Sequence, residues 1–162
     1  MQDFSFRPHR RHFLTTAGLL STGVFIPGSF ATAQSSKLRI RLMLPYTGTY
    51  APLGNAITNG FKLAVAEHGG KLGGREIEYC TVDDESDPAK GPENANKLVQ
   101  RDKVDVLIGT VHSGVAMGMV KIARDTGTLL IIPNAGVNAA TGGLCAPNIF
   151  RTSFKRPTRS AK

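Results

Sequence analysis

A histidine and a serine, His112 and Ser113, stand side by side where a short apolar run gives way to small and polar residues. The stretch reads VDVLIGTVHSGVAMG over 104–118 and is typical of a β-strand, a tight turn and the start of a helix. Such a junction brings hydroxyl groups and backbone N–H groups to the rim of a parallel sheet, where small anions bind. The residues therefore predict an anion site, although a serine on such a turn also resembles a hydrolase nucleophile.

The hydrolase interpretation of Ser113 fails on spacing and on chain order. The G-x-S-x-G turn needs a glycine two residues before the serine, and that position holds Val111. The pattern also needs a histidine after the nucleophile. The histidines all precede Ser113, at His9, His12, His68 and His112. We therefore expect no catalytic residue and predict that the protein is not an enzyme.

Cofactor and metal motifs are also missing from the sequence. The first predicted strand leads into Pro45 to Gly54 without the G-x-G-x-x-G pattern of dinucleotide sites. Lys71 and Lys121 lack the glycine and hydroxyl framing of a phosphate-binding loop. No spacing of His, Cys, Asp or Glu indicates a metal. We expect no cofactor and no metal ion.

Two adjacent aspartates, Asp83 and Asp84, look like a carboxylate pair for acid–base work. Neighbouring residues at a strand end point in opposite directions, however, which separates the two carboxyl groups. Aspartates in such loops commonly accept hydrogen bonds from turn N–H groups. We therefore expect this pair to brace a loop.

Nearly all of the excess positive charge lies in the two ends of the chain. The 162 residues carry a formal net charge of +8, but residues 34–150 hold 12 Lys and Arg against 11 Asp and Glu. A basic groove interleaved with aromatic residues is absent, so nucleic acid is not an expected partner. The composition, 41% hydrophobic and 20% charged, is that of a globular domain.

The first 33 residues read as an export signal. Arg10 and Arg11 precede a mildly apolar run from Phe13 to Ile26, and Ala31-Thr32-Ala33 forms a small-x-small cleavage site. The paired arginines and the weak hydrophobicity favour the twin-arginine type over the general route. The run is shorter than the roughly 20 residues that span a bilayer, so no stable membrane anchor is expected after cleavage. We predict a periplasmic protein cleaved after Ala33.

The elements that must position His112 and Ser113 alternate between strand and helix periodicity. Such alternation predicts an α/β fold with a doubly wound, mostly parallel sheet flanked by helices. Asn55 is the expected N-cap of the first helix, and Pro92 is expected at the first position of the second. The predicted strands are 38–44, 76–82, 104–108, 129–132 and 148–152, and the predicted helices begin near Asn55, Pro92 and Val115.

Five sequence blocks in this order resemble the type I periplasmic solute-binding proteins, the Leu/Ile/Val-binding family of branched-chain amino-acid and amide ABC importers. The blocks are LPYTGTYAPLGNAITNGFKLAVAE (44–67), YCTVDDESDP (79–88), VDVLIGTVHSG (104–114), TLLIIPNAG (128–136) and CAPNIFRTSF (145–154). The resemblance covers about 38–154, and it implies a lobe over 34–154 that binds a small solute at the carboxyl ends of its strands. ABC importer membrane subunits are the implied partners.

The resemblance also implies the ligand-binding residues. A ligand carboxylate would meet Ser113 and the backbone around His112 and Gly114, and the loop of Asn134, Ala135 and Gly136 would form a second contact. Tyr50 and Leu53 would add side-chain contacts. Family members that bind amino acids commonly carry a hydroxyl residue where this chain has Gly136. The ligand is therefore expected to be an amino acid, an amide or an aromatic carboxylate.

The resemblance stops near Phe154, and residues 155–162, KRPTRSAK, form a basic tail without an apolar pattern. Members of the family are more than twice as long, which favours a truncation or frameshift and an incomplete, weakly binding or inactive fragment. The alternative is a small exported interaction module without transport function.

Cys80 and Cys145 are the two cysteines, and a mutual disulfide is not expected because one lies in a strand and the other in a distant loop. The bridge that some members form is absent, since Ser86 and His112 occupy its positions.

Overall fold

A computed structural model describes residues 37–155. The strands contain mostly apolar and β-branched residues, and they run over β1 Leu38–Leu44, β2 Lys71–Leu72, β3 Arg75–Asp83, β4 Val106–Ile108, β5 Leu129–Ile132 and β6 Ile149–Arg151. The α-helices run over α1 Ala51–Glu67, α2 Lys90–Gln100 and α3 Ser113–Thr126. A 3-10 turn follows at Asn138–Thr141.

The six strands form one sheet in the order β2-β3-β1-β4-β5-β6. All neighbouring strands are parallel except the antiparallel pair of β2 and β3. β1 lies between β3 and β4, with Leu42 opposite Thr81 on one side and Ile108 on the other. Leu42, Met43 and Leu44 are completely buried, as expected for a central strand covered on both faces. The predicted fold class is confirmed.

Helices lie on both faces of the sheet. Ile57 and Phe61 of α1 pack against one face, where Leu42 is buried. The residues of α2 and α3 that pack against the opposite face follow helical spacing: Ala95, Leu98, Val99, Val115, Ala116, Met119, Val120 and Ala123. Ala95, Leu98 and Val99 form the buried face of α2. The core is therefore larger on the α2 and α3 side.

The predicted start of the first helix is wrong by four residues. Asn55 is not an N-cap, because α1 begins at Ala51 and Tyr50 occupies the cap position. Pro52 stands in the first turn, where its missing N–H needs no intrahelical partner. The turn-forming composition of YTGTYAPLG concealed this start.

The remaining differences lie at element ends. Pro92 is the third residue of α2 rather than the first, and β4 begins at Val106 rather than Val104 because the chain still turns at Lys103, whose φ is +51°. α3 begins at Ser113, two residues before the predicted start, and ends at Thr126, with Gly127 at φ +72° as its C-cap. The other strand ends shift by one residue, to Arg75–Asp83 and Ile149–Arg151.

A short hairpin at the sheet edge escaped prediction. β2 and β3 are joined by Gly73 and Gly74, whose φ angles are +57° and +78°. Two glycines with positive φ form the tight turn that joins antiparallel strands. The Gly73-Gly74 dipeptide therefore could have been used to predict the hairpin from the sequence.

Several predictions concern residues outside the described range. The export signal over 1–33 and most of the basic tail over 155–162 belong to this group, so both stay predictions. Cys80 and Cys145, which are described, are exposed and not bonded to each other. None of the α-helices within 37–155 has the length and apolarity needed to cross a bilayer.

Candidate functional site: a cleft at the carboxyl ends of β1, β4 and β5

The strand order creates a crevice beside β1. The chain leaves β1 through α1 toward β3 and returns through α2 to β4, which lies on the other side of β1. The loops that follow β1 and β4 therefore diverge, and a gap opens between them at the carboxyl edge of the sheet. Ligands of doubly wound α/β folds bind at such a switch point.

A cleft of about 400 Å³ occupies this position. Its walls come from the loops after β1, β4 and β5 and from the residues that follow β6. The lining residues are Tyr50, Leu53, Val111, His112, Ser113, Asn134, Gly136 and Phe154. Six of the eight residues predicted for the site thus meet in one cleft, although that they contact a ligand stays a prediction.

The loop after β4 presents the start of α3 to the cleft. His112 is the N-cap of this helix, and its Nδ1 accepts a hydrogen bond from the Gly114 N–H at 3.2 Å. Ser113 is the first helical residue. A helix start carries about half a positive charge and N–H groups that point outward, so this wall of the cleft favours an anion.

A second part of the cleft wall is apolar and aromatic. Tyr50 and Leu53 stand at the start of α1 and are 40% and 43% exposed. Phe154 also lines the cleft and is 63% exposed. Large apolar side chains left open to solvent around a concave surface mark a ligand site more often than a scattered surface residue does.

The start of α1 is fixed by close contacts with the end of β1. A Cβ atom on Gly54 would overlap the Pro45 carbonyl oxygen, so only glycine allows the helix to approach this closely. Thr58 donates to the Gly54 carbonyl at 2.9 Å, and its hydroxyl lies 2.8 Å from the Tyr46 hydroxyl. These contacts hold Tyr50 and Leu53, which share this first turn, at a defined distance from β1.

Gly114 and Ala135 do not line the cleft. The Gly114 N–H is used by His112, and Ala135 is 1% exposed within the core. The Ala135 N–H donates to the Thr110 carbonyl at 3.0 Å, and the Ala135 carbonyl accepts from the Ser153 hydroxyl at 2.9 Å. Gly114 and Ala135 thus make hydrogen bonds that help to fix the neighbouring residues, which do line the cleft.

Asp83 and Asp84 brace the loops, as predicted. Asp83 accepts hydrogen bonds from the Tyr46 and Glu85 N–H groups, both at 2.9 Å, and from the Thr47 hydroxyl at 2.7 Å. Burial alone would raise the pKa of Asp83, but these hydrogen bonds outweigh it and hold the pKa below its ordinary value. Asp83 therefore ties the loop after β1 to the end of β3 as a carboxylate.

Asp84 faces the other way and is completely buried. Its Oδ1 accepts from the Ser86 N–H at 2.8 Å, and its Oδ2 accepts from the Thr110 hydroxyl in the loop after β4. Burial raises the pKa of Asp84 above its ordinary value, although the hydrogen bonds from Thr110 and Ser86 act in the opposite direction. The two neighbouring carboxyl groups thus hold two different loops.

Val111 and Phe154 are cleft residues that the sequence predictions left out. Val111 directly precedes His112, so its adjacency was a usable signal. Phe154 follows the last strand, and no periodic pattern at that position indicated that it would face the cleft.

A second, apolar pocket of about 160 Å³ lies beside α1 among residues such as Phe61 and Ile77. It lies away from the switch point and from His112 and Ser113, so the cleft is the better candidate for a small anion.

Within residues 37–155, no three His, Cys, Asp or Glu side chains gather in a way that could hold a metal ion. A concave site at a switch point, with a helix start on one wall and apolar groups on the other, is typical of α/β proteins that bind small solutes. The chain belongs to the periplasmic binding protein family, whose family model matches residues 37–161. The resemblance read from the five sequence blocks is thereby confirmed.

Relatives and solved structures agree with this membership. A Leu/Ile/Val-binding protein homolog of Brucella melitensis is 30% identical over 126 residues, which is 76% of this chain and 33% of the relative. A solute-binding protein of an ABC transporter from R. palustris, solved in complex with benzoate, is 61% identical with a TM-score of 0.72 over 74% of this chain and 33% of that one. Another from Rhodopseudomonas palustris BisB5, solved with 3,4-dihydroxy benzoic acid, is 31% identical with a TM-score of 0.68, over 74% of this chain and 32% of that one.

The chain spans about a third of the length of these relatives. The proteins it is similar to are periplasmic solute-binding components of ABC transporters rather than enzymes, with amino acids and benzoates among the ligands they are named for or solved with.

Proposed function

We propose that the cleft binds a small carboxylate and that an aromatic carboxylate of the benzoate class is its preferred ligand. The proposal rests on one observation. The start of α3 and the apolar side chains of Tyr50, Leu53 and Phe154 line the same cleft. The carboxylate would lie at Ser113 and His112, where hydrogen-bond donors and the helix dipole favour a negative charge. The ring would lie against the apolar wall.

The charges of the cleft favour an aromatic acid over an amino acid. An amino acid carries an ammonium group, which needs carboxylate or carbonyl acceptors when it leaves water. The lining residues include no Asp or Glu among the described part of the chain. Gly136 stands at the position where amino-acid binders of this family commonly offer a hydroxyl. A benzoate needs neither an acidic side chain nor that hydroxyl.

The wider role is that of the periplasmic binding component of an importer, exported with cleavage after Ala33 and docking to ABC membrane subunits. The benzoate complex of a relative 61% identical to this chain supports the ligand class. The cleft described here is open, since Leu53 and Phe154 are 43% and 63% exposed. We therefore propose that the chain, as an incomplete fragment, binds weakly by itself.

Titration of the 162-residue chain with benzoate and with isoleucine tests the ligand class. Chemical-shift changes in ¹⁵N-labelled protein detect millimolar affinity, and we expect benzoate to shift the amides of 111–114 and 134–136 while isoleucine binds more weakly. Ser113→Ala should weaken benzoate about tenfold, the factor that corresponds to losing a hydrogen bond to a charged group. Ser86→Ala is the matched control, because Ser86 does not line the cleft.

Tighter binding of isoleucine would contradict the ligand class. Unchanged benzoate affinity in Ser113→Ala would contradict the placement of the carboxylate. A folded chain with protected strand amides that binds none of these solutes would instead favour the small exported interaction module.

A further inference from the structure

The loop that carries His112 and Ser113 is held from behind by a buried pair. Asp84 and Thr110 are both 0% exposed, and neither lines the cleft. The Thr110 hydroxyl donates to Asp84 Oδ2 across 26 residues of sequence. Thr110 precedes His112 by two residues, with Val111 of the cleft wall between them.

Thr110 also holds the loop after β5. Its carbonyl accepts the Ala135 N–H at 3.0 Å, and Ala135 stands between two cleft residues, Asn134 and Gly136. One threonine therefore connects the Asp84 carboxyl group, the wall formed by the β4 loop and the wall formed by the β5 loop.

Asp84 is itself fixed at the carboxyl edge of the sheet, beside the end of β1. Its N–H donates to the Leu44 carbonyl at 3.1 Å, at the end of β1, and its Oδ1 accepts the Ser86 N–H. Burying a carboxyl group costs free energy unless hydrogen bonds replace those lost from water. Thr110 supplies one of these bonds, so a movement of the β4 loop would leave part of a buried carboxyl group without a partner.

We propose that Asp84 is a positioning residue for the ligand, acting through the Thr110 hydroxyl to set the distance between the β4 and β5 loops. The inference rests on the proposed function for the ligand, but it also concerns the geometry of the cleft in the free protein. Asp84 does not contact the ligand. Its effect on affinity arises because Ser113 and Asn134 keep a fixed separation.

Thr110→Val and Thr110→Ser test this role. Valine keeps the shape of the side chain but removes the hydroxyl, whereas serine retains it. Thr126→Val is the matched control, since the partly buried Thr126 hydroxyl also donates a hydrogen bond but lies at the far end of α3, away from the cleft. The measurements are amide chemical shifts of the free 162-residue chain and benzoate affinity, both taken well below the unfolding temperature of every variant.

We expect Thr110→Val to shift the amides of both 111–114 and 134–136 and to weaken benzoate about fivefold. Thr110→Ser should keep the wild-type affinity, and Thr126→Val should lower the unfolding temperature without changing the benzoate affinity. Thr110→Ala replaces the valine variant if that protein does not fold, because the smaller side chain leaves room for a water molecule on Asp84.

Wild-type affinity in the Thr110→Val or Thr110→Ala variant would overturn the proposal, and so would an equal loss of affinity in Thr126→Val. If the wild-type chain binds no benzoate, the proposed function fails by itself. The positioning role is then decided by the free protein: shifts in both loops support it, and shifts confined to the β4 loop overturn it.

Discussion

His112 Nδ1 and the Gly114 N–H form the hydrogen bond that caps helix α3. A ring nitrogen that accepts a hydrogen bond carries no proton, so this bond assigns the proton of the neutral ring to Nε2. His112 also lines the cleft, so its structural role as a helix cap has to be distinguished from its proposed role in ligand binding.

Two substitutions separate the roles of His112. Alanine removes the cap and should lower the free energy of unfolding by about 1 kcal/mol. Asparagine is a good N-cap residue and should retain most of the stability that the cap provides. Both remove the imidazole N–H from the cleft, so we expect both to weaken benzoate in an NMR titration. Wild-type benzoate affinity in His112→Asn would show that His112 acts only as a cap.

The glycine at 118 permits α2 and α3 to pack closely. A Cβ on Gly118 would lie 2.6 Å from Pro92 Cδ, whereas a Cβ on Gly60 in α1 would meet nothing within 4 Å. Gly118→Ala should therefore destabilise the fold by about 1 to 2 kcal/mol, because overpacking outweighs the gain in helix propensity. Gly60→Ala should stabilise it by up to about 1 kcal/mol. Denaturant unfolding of the two variants checks the opposite signs, and a gain in both would refute the close contact.

Asp83 and Asp84 should give opposite pH dependence of stability. The pKa of Asp83 is lowered by folding, so its stabilising contribution is present above the unfolded value of about 3.9 and is lost as pH falls through the folded value. The pKa of Asp84 is raised, so its contribution is present below about pH 3.9 and is lost as pH rises through the folded value.

The matched variants Asp83→Asn and Asp84→Asn test these signs in thermal unfolding from pH 3 to pH 7. Relative to the wild type, Asp83→Asn should lose stability as pH rises, and Asp84→Asn should gain it. Parallel pH profiles of the two variants would show that the adjacent carboxyl groups do not differ as described.

Ser86 combines a strained backbone with an unsatisfied hydroxyl. Its φ is +57°, and among the described residues its buried Oγ finds no hydrogen-bond partner. Ser86→Gly removes both defects at the cost of greater chain entropy, so we expect a gain of about 1 kcal/mol in the free energy of unfolding. Chemical denaturation measures the gain, and a loss of stability would indicate that the hydroxyl is hydrogen-bonded in solution.

Local periodicity predicted most of the elements that form the fold. β1 and β5 were located to the residue because their apolar runs end at Pro45 and Pro133. The start of α1 was missed because Gly54 lies inside the helix, where its close contact with Pro45 is a tertiary requirement. Sequence periodicity contains no information about such a contact.

The candidate site was predictable where it depends on strand ends and helix starts. His112 and Ser113 follow from the junction after β4, and their neighbours across the cleft follow from the family resemblance. The contact of Asp84 with Thr110 was not predictable, because the two residues are 26 positions apart and become neighbours only through the strand order. The inward position of Ala135 depends on the same packing.

The two faces of the sheet also differ in how well they are covered toward β6. Phe150 is paired with Ile131 in register and shares its face, the face on which α1 packs, and it remains 53% exposed. Phe150 therefore adds to the exposed apolar surface through which copies of the chain can associate. Sulfate strengthens the association of exposed apolar surface, and the nearly balanced charge of residues 34–150 opposes that association only weakly. Phe150→Ser should therefore raise the sulfate concentration at which the protein precipitates.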